Sequence, residues 1–515
     1  MSSAAASPAP LQGGPLAIAS VALALGTFMQ VLDSTIANVS LPTISGDLGV
    51  SSDQGTWVIT AFSVANGIGL PITAWLMARY GMVRTFVWSV ALFTLASFLC
   101  GMAWSLNSLV IFRVLQGGVS GPMIPGSQAL LISIFPEERR GTALAIWAIT
   151  TLVAPVLGPI VGGYISDNYH WSWIFLINVP IGIVATIFSW RYLASRETPR
   201  RKLPIDNVGL GLLVIWVGSL QVMLDNGKDA DWFSSTSVVV LAIIAAIGFV
   251  SWVIWELTSK SPIVDLSLFT NRNFTLGTIA LCLGYAVFFA NNLLLPLWLQ
   301  EQLGYTATWA GLVSAPSGLV AIVVTPVAAA FLKRFDARIA ATVAFLAFAA
   351  SYFWRAALTP DASFWAITIP VSVQGVSMGT FFVAMLGILL DGVTTDRIAS
   401  ASGLSNFARI IAGGFAAAIT TTLWDYREDL HQTRLVERAN SFDPTLHQTL
   451  AGLHHLGFSD PQNYGVVLQT VINQSYLMST LDFFWISGWL SIGMLGLVWL
   501  ARAPKKRTTV HVATE

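Results

Sequence analysis

The sequence predicts an all-α polytopic membrane protein of about fourteen transmembrane helices, two six-helix bundles with an inserted pair between them. Three observations predict it. First, 55% of the 515 residues are hydrophobic and 10% are charged, with a mean hydropathy of +0.70; ordinary soluble domains carry about 25% charged residues. Second, apolar runs of about 20 residues, the length that crosses a bilayer, recur from end to end, far longer than the alternating strands of a membrane barrel. Third, basic residues collect on alternate connections. Net charge is +0, with 26 Lys+Arg and 26 Asp+Glu, so no basic excess points to nucleic acid.

The runs fall near 16–39, 54–77, 85–104, 107–134, 141–164, 174–193, 207–224, 236–257, 275–298, 307–331, 339–357, 365–390, 400–424 and 481–501. The first does not read as a cleavable signal: no Lys or Arg precedes Arg79, and the run is too long for a signal core. With the N-terminus in the cytoplasm, about nineteen basic residues lie on cytoplasmic segments, against Lys228, Arg355, Arg427, Arg434 and Arg438 outside. This is a positive-inside bias, and an even span count leaves both termini cytoplasmic. Cys100 and Cys282 both lie in apolar runs, so no disulfide framework is implied.

The chain divides into a tail 1–15, a six-helix bundle 16–194, a basic linker 195–206, an inserted pair 207–258, a second bundle 259–502 and a tail 503–515. One connection is anomalous. The loop 425–480 on the non-cytoplasmic side exceeds ordinary loop length. Asp443-Pro444 suits a helix start, Leu446, Leu450, Leu453 and Leu456 form one stripe, and Gly457 can close the helix. Asp460-Pro461 opens a second candidate helix that can run into the last span. This excursion either caps the protein itself or docks a partner outside the membrane.

Asp33 is the only charge in the first run. A carboxylate in hydrocarbon costs several kcal/mol unless it is paired or neutralised, so it is either a structural anchor or a proton site. Arg113 enters the fourth run from the outer side to a depth of about 9 Å. Asp33 lies at a similar depth below the outer end of its own helix, so the two can pair if those helices are neighbours. Arg113 can equally serve as a clamp on backbone carbonyls. Gly117, Gly118 and Gly121 permit close helix contact. In the fifth run Ala154, Gly158 and Gly162 share a face, beside Gly163, while Pro155 and Pro159 remove backbone donors. This helix is expected to seal one bundle against the other.

In the second bundle Arg409 lies about 13 Å in from the cytoplasmic end, with Asn406 close by. Tyr285, Phe288, Phe289, Asn291 and Asn292 give the ninth run aromatic and amide groups. An apolar pocket with a few polar handles suits a hydrophobic ligand, and Tyr285, Phe288, Asn291, Asn292, Arg409 and Asn406 are its candidates. Asp225 closes the seventh run, where a structural role is expected and a proton role stands in reserve. All six histidines are read as loop or tail residues, and neither a HExxH pair nor a phosphate-binding glycine loop occurs, so no enzyme, no metal site and no cofactor are expected.

Several stretches carry a family resemblance: FMQVLDSTIANVSLPTI (28–44), QGTWVIT (54–60), LVIFRVLQGGVSGP (109–122), APVLGPIVGG (154–163), WSWIFLINVPIG (171–182), DNVG (206–209), LQVMLDNG (220–227), SPIVDLSLF (261–269) and YTATWAGL (305–312). Together they resemble fourteen-span drug:proton antiporters of the major facilitator superfamily, EmrB type, over nearly the whole chain. The resemblance implies the major facilitator fold in the inner membrane of a bacterium, and efflux of hydrophobic drugs and uncouplers with the proton gradient as energy source. It also implies a periplasmic EmrA-like adaptor and a TolC-like outer-membrane channel as partners, with Asp33 and Arg113 in proton coupling. An importer of the same fold, a single-substrate exporter and a non-transporting scaffold remain the alternatives. One motif departs: the superfamily's Gly-x-Leu-Ala-Asp-Arg-x-Gly loop reads Ala74-Trp75-Leu76-Met77-Ala78-Arg79-Tyr80-Gly81. Arg79 and Gly81 persist but the acid does not, so the charge latch at this loop is expected to be weaker or differently built.

Overall fold

The computed structural model describes residues 11–50, 52–55, 57–200, 204–259, 262–332, 334–394, 397–438 and 443–502. The tail 503–515, most of 1–15 and the side chain of Pro159 lie outside the described residues. No strand occurs among the described residues. The first bundle comprises α1 (Gly13–Asp47), α2 (Ser52–Gly55), α3 (Trp57–Tyr80), α4 (Met82–Gly101), α5 (Leu106–Ser120), α6 (Met123–Ile134), α7 (Arg140–Asn168), α8 (Trp173–Leu176) and α9 (Asn178–Leu193). The inserted pair is α10 (Asn207–Asn226) and α11 (Thr236–Thr258). The second bundle comprises α12 (Arg272–Glu301), α13 (Ala307–Phe331), α14 (Ala337–Arg355), α15 (Phe364–Leu389), α16 (Ile398–Arg438), α17 (Pro444–His455) and α18 (Asp460–Leu500).

Among the described residues, 13 helices are long and apolar enough to span a membrane. The remaining crossing, the apolar run 107–134, is split into α5 and α6 at Gly121-Pro122. Proline supplies no N–H to continue the ladder. Gly121 lies backbone to backbone against Gly69 of α3, and a Cβ on Gly117 would strike the Phe62 carbonyl. A Cβ on Gly69 would lie 2.7 Å from the Gly118 carbonyl oxygen. Of the glycines read from sequence as contact points, Gly117 and Gly121 therefore let α3 and α5 cross at backbone distance, whereas the Cβ position of Gly118 faces open space.

Polar caps set the helix starts. Asp206 Oδ1 accepts from Gly209 N at 2.9 Å, Asn271 Oδ1 from Asn273 N at 2.9 Å, and Asp336 Oδ1 from Arg338 N at 2.9 Å. Each relieves an unpaired N–H at a helix end. The bundles meet where α7 packs on α13, α3 on α16, and α6 on α16. The inserted α10 touches both α3 and α16 and so bridges one seam, while α11 packs on α10. Trp216 of α10 meets Phe407 of α16 edge-on, their ring centres 5.7 Å apart. The α10–α11 turn is tied to α16 by Lys228–Asp425 at 2.8 Å and by Trp232 Nε1, which donates to Thr422 at 2.9 Å.

Most of the stretch read as loop 425–480 is helix. α16 and α18 have 41 residues each, about 60 Å of helix, twice the hydrocarbon thickness of a bilayer. Asp482 fastens them together, accepting from Arg427 Nε at 2.9 Å and meeting His431 Nε2 at 2.7 Å. Asp443 caps α17 through Thr445 N at 2.9 Å, and Gly457 leaves the helix at φ +92. Leu446, Leu450 and Leu453 are half-buried on α17, which packs against α18, whereas Leu456 lies just past the helix and is 76% exposed. His431, His447, His454 and His455, read as loop residues, stand on α16 and α17. The charges of 425–438 hid the extension of α16 from a hydropathy reading, whereas the helix starts at Asp443 and Asp460 stand as read.

Candidate functional site

Asp33 sits mid-way along α1 and is 0% exposed. Arg113, on α5, reaches it from across the bundle with Nη1–Oδ2 at 2.5 Å. Two amides complete the carboxylate's shell: Gln116 Nε2 donates to Oδ1 at 3.0 Å and Asn178 Nδ2 at 2.8 Å. The guanidinium is held in turn. Its Nε donates to the Val58 carbonyl at 3.0 Å, and Nη1 also donates to Gln116 Oε1 at 2.6 Å. The Phe62 and Phe175 rings lie 4.2 and 5.4 Å from its centre. Ser97 of α4 accepts from Gln116 Nε2 at 2.7 Å. Asp33 thus gathers α1, α3, α4, α5 and α9 around one buried ion pair.

Both roles weighed for Arg113 are present in this geometry: it pairs with a carboxylate and clamps a carbonyl. A buried pair like this is neutral only while both partners are charged, and removing one costs about 3–5 kcal/mol. Adding a proton to Asp33 therefore reorganises the cluster. Asn178 Oδ1 is buried without a partner, so a half-turn of that amide would offer an acceptor to a protonated Asp33. Gln116, Asn178 and Ser97 were not singled out in the sequence. Gln116 stands one turn after Arg113 and Asn178 lies inside 171–182, but an amide in a helix carries no signal of its own.

The second-bundle candidates separate. Arg409 is 7% exposed and lies over the Tyr285 ring at 4.7 Å and the Phe382 ring at 5.6 Å. Tyr285 contacts Phe288 and Phe289, with ring centres 6.1 and 5.8 Å apart. Asn291 does not join this group: its Nδ2 donates to Ser487 Oγ at 3.0 Å and ties α12 to α18. Asn292 bonds the Phe288 carbonyl and Asn406 the Ser402 carbonyl, each within its own helix. Asp225, at the end of α10, accepts from Gln221 Nε2 at 3.1 Å. Arg355, counted from sequence among the outer loop residues, is instead fully buried on α14. Its Nη2 donates to Gln374 Oε1 at 2.7 Å, and its guanidinium lies against the Tyr352 and Phe484 rings at 4.7 and 4.8 Å. Its place at the very edge of a run concealed it. No group of His, Cys, Asp and Glu suited to a metal occurs among the described residues.

A profile of the Major Facilitator Superfamily matches residues 23–417. The chain belongs to the Major Facilitator Superfamily. It is 48% identical over 496 residues to the multidrug export protein EmrB of Escherichia coli (strain K12), covering 96% of this chain and 97% of that one. It is 45% identical over 495 residues to the fatty acid resistance protein FarB of Neisseria gonorrhoeae, covering 96% and 98%. It is thus an EmrB-type major facilitator transporter. Among solved structures it resembles the human organic anion transporter MFSD10 (TM-score 0.59, 11% identity, 94% of this chain and 100% of that one). It also resembles a bacterial homologue of the lysosomal transporter Spinster (TM-score 0.53, 14% identity, 96% and 100%). These two likenesses concern the fold.

In this major facilitator the departing loop motif has a structural answer. Glu197, arriving from the linker after α9, takes the N-terminus of α4: its Oε1 accepts from Val83 N at 3.0 Å and its Oε2 from Arg84 N at 2.9 Å. Arg79 stacks near Trp75 at 5.3 Å and Tyr80 at 5.8 Å. Gly81 turns the chain at φ +97, and a Cβ there would overlap the Glu197 carboxylate. The acid missing at Ala78 thus has a counterpart at this loop that fastens the linker to α4. Glu197→Ala should lower stability by about 1–2 kcal/mol, the worth of a helix cap. Gly81→Ala should cost at least as much, since strain adds to the overlap. Thermal unfolding in detergent reads both, and unchanged melting in Glu197→Ala would remove the cap from the account.

The motif helix α7 meets the second bundle, but its small-residue face turns elsewhere. A Cβ on Gly158 would lie 2.8 Å from Thr35 Cβ, and one on Gly162 would lie 2.8 Å from Ile36 Cγ1. The small-residue face therefore packs on α1, inside the first bundle, beside Asp33. The seam with the second bundle is made elsewhere on α7, where Gly311 of α13 admits Ile160 within 2.9 Å of its Cβ position. Spacing reveals that some helix comes close but not which one.

Proposed function

We propose that this transporter is a proton-coupled multidrug exporter of a bacterial inner membrane, with both termini in the cytoplasm, and that Asp33 carries the coupling proton while Arg113 governs its release. The observation that carries the reading is the fully buried Asp33–Arg113 pair with its amide shell. Arginine stays charged, so the carboxylate is the switch. Intramembrane carboxylates of this kind mark ion or substrate pathways. Proton and drug need not share atoms; each need only favour a different conformation. Kinship with proteins named for multidrug export and fatty acid resistance supports hydrophobic drug-like cargo. The basic asymmetry of the loops supports the orientation. Efflux from proteoliposomes under an imposed pH gradient, across a panel of hydrophobic weak acids and neutral drugs, tests the reading. Flux indifferent to collapse of the gradient would overturn it.

The excursion formed by α16, α17 and α18 suits contact with a periplasmic EmrA-like adaptor, which would hand substrate to a TolC-like outer-membrane channel. Support comes from its reach beyond the bilayer and from apolar side chains exposed there: Leu456, Phe458, Tyr464 and Leu468. Replacing Leu456, Phe458 and Tyr464 by Ser should leave proteoliposome transport unchanged and lower drug resistance in cells. Resistance at the wild-type level would count against docking here.

A further inference from the structure

Arg409 differs from the other buried arginines. Arg113 has a carboxylate, and Arg355, whose Nε and Nη1 are partnerless, donates through Nη2 to Gln374 and Ser351. Among the described residues no hydrogen bond or ion pair reaches Arg409, and its Nε is buried without a partner. A desolvated guanidinium without an anion is costly, and aromatic faces offset that only in part.

Its position says what the missing partner is. Ser402, Asn406 and Arg409 recur at i, i+4 and i+7 and so share one face of α16. Ser402 on that face bonds Gln128 of α6, in the first bundle. The face therefore looks across the seam between the bundles, and Arg409 stands about 10 Å along it from that contact. Tyr285 from α12 and Phe382 from α15 flank the guanidinium, and Phe288 continues the aromatic wall toward Phe348, with ring centres 6.2 Å apart. Gly413, one turn on, gives Tyr285 its room: a Cβ there would lie 3.1 Å from the ring.

We propose that Arg409 is the charge-selecting residue of the substrate site, taking the carboxylate or phenolate of an amphipathic organic anion whose apolar body lies on Tyr285 and Phe382. This rests on the efflux reading above, and it assigns the recognition of charge to one residue. Asp33 and Arg113 neutralise each other and Arg355 donates to Gln374, so among the described residues Arg409 is the buried arginine that no protein group bonds. The anion replaces the partner that the protein itself does not provide.

The test compares a naphthoate with naphthamide, equal in shape and differing in charge, for binding to the full chain in nanodiscs. Wild-type protein should bind the naphthoate at least about tenfold more tightly. Arg409→Gln should remove that preference while changing naphthamide affinity by less than about threefold. Arg409→Lys should restore most of it, since the charge returns without the planar fork. Equal wild-type affinity for both probes overturns the proposal, and so does an equal loss of both in Arg409→Gln. The wild-type comparison needs no variant and holds if Arg409→Gln fails to fold. Gradient-driven export of neutral drugs by the wild-type protein would leave the efflux reading standing whatever the naphthoate result.

Discussion

Asp33→Asn should abolish efflux driven by a pH gradient while leaving drug binding within about tenfold of wild type, or ~1.4 kcal/mol. The substitution removes the titrating group and keeps the shape. It also removes the charge that balances Arg113 at 2.5 Å. An asparagine oxygen can accept from Arg113 or from the pair Gln116 and Asn178, but its NH2 then faces donors on the other side. The variant therefore resembles the protonated state in charge and cannot give up a proton to complete the coupled cycle. Asp33→Glu keeps the titration but displaces the carboxylate by one methylene in a fully buried cluster, so partial activity with a shifted pH optimum is expected. Counterflow, which exchanges drug without net proton movement, should survive Asp33→Asn. Uphill pumping by Asp33→Asn liposomes would place the proton site elsewhere, with Asp225 the next candidate. The measurement is drug accumulation against time in inverted proteoliposomes, normalised to folded protein.

This pair was legible because charge in hydrocarbon is rare, and because depth along two helices can be counted at a fixed rise per residue. The spans were legible for the same reason: a bilayer imposes one length on every crossing. What stayed hidden depends on neighbours that hydropathy does not encode. The break at Gly121-Pro122 interrupts no apolar run; Pro122 is visible in the sequence, but the crossing of Gly121 with Gly69 at the same place is not. Gln116 and Asn178 become functional candidates only once α5 and α9 are seen to face Asp33. Asn291 looked like a pocket residue because its helix carries aromatics, yet its side chain turns to Ser487. The excursion beyond the bilayer was readable as helix from Asp443, Pro444 and Gly457. The run from Asp460 into the last span was readable too, but the extension of α16 to Arg438 was not, because charged helix outside a membrane and loop look alike in composition.

Gly158→Leu should reduce efflux by more than about tenfold, since overpacking a tight contact costs about 1–3 kcal/mol and here displaces the helix segment that carries Asp33. A single added carbon at Gly158 would already lie 2.8 Å from Thr35 Cβ and 3.3 Å from Ile36 N. Thr35 is braced by bonds from its Oγ1 to the Val31 and Leu32 carbonyls, at 3.2 and 3.0 Å, so it cannot swing aside freely. The strain therefore passes to the α1 backbone two residues from Asp33. Gly162, one turn on, meets the Ile36 carbonyl with 3.0 Å to its Cβ position, which closes the other escape. Gly158→Ala should give an intermediate loss, and adding Thr35→Gly to it should recover part of the rate by opening the space. Gly118→Ala is the control: its Cβ position has nothing within 4 Å, and it should pump at close to the wild-type rate. Efflux rates on purified, size-checked protein decide the matter. A Gly158→Leu protein that folds and pumps normally would mean that α1 and α7 separate during the cycle, and that the contact beside Asp33 constrains nothing.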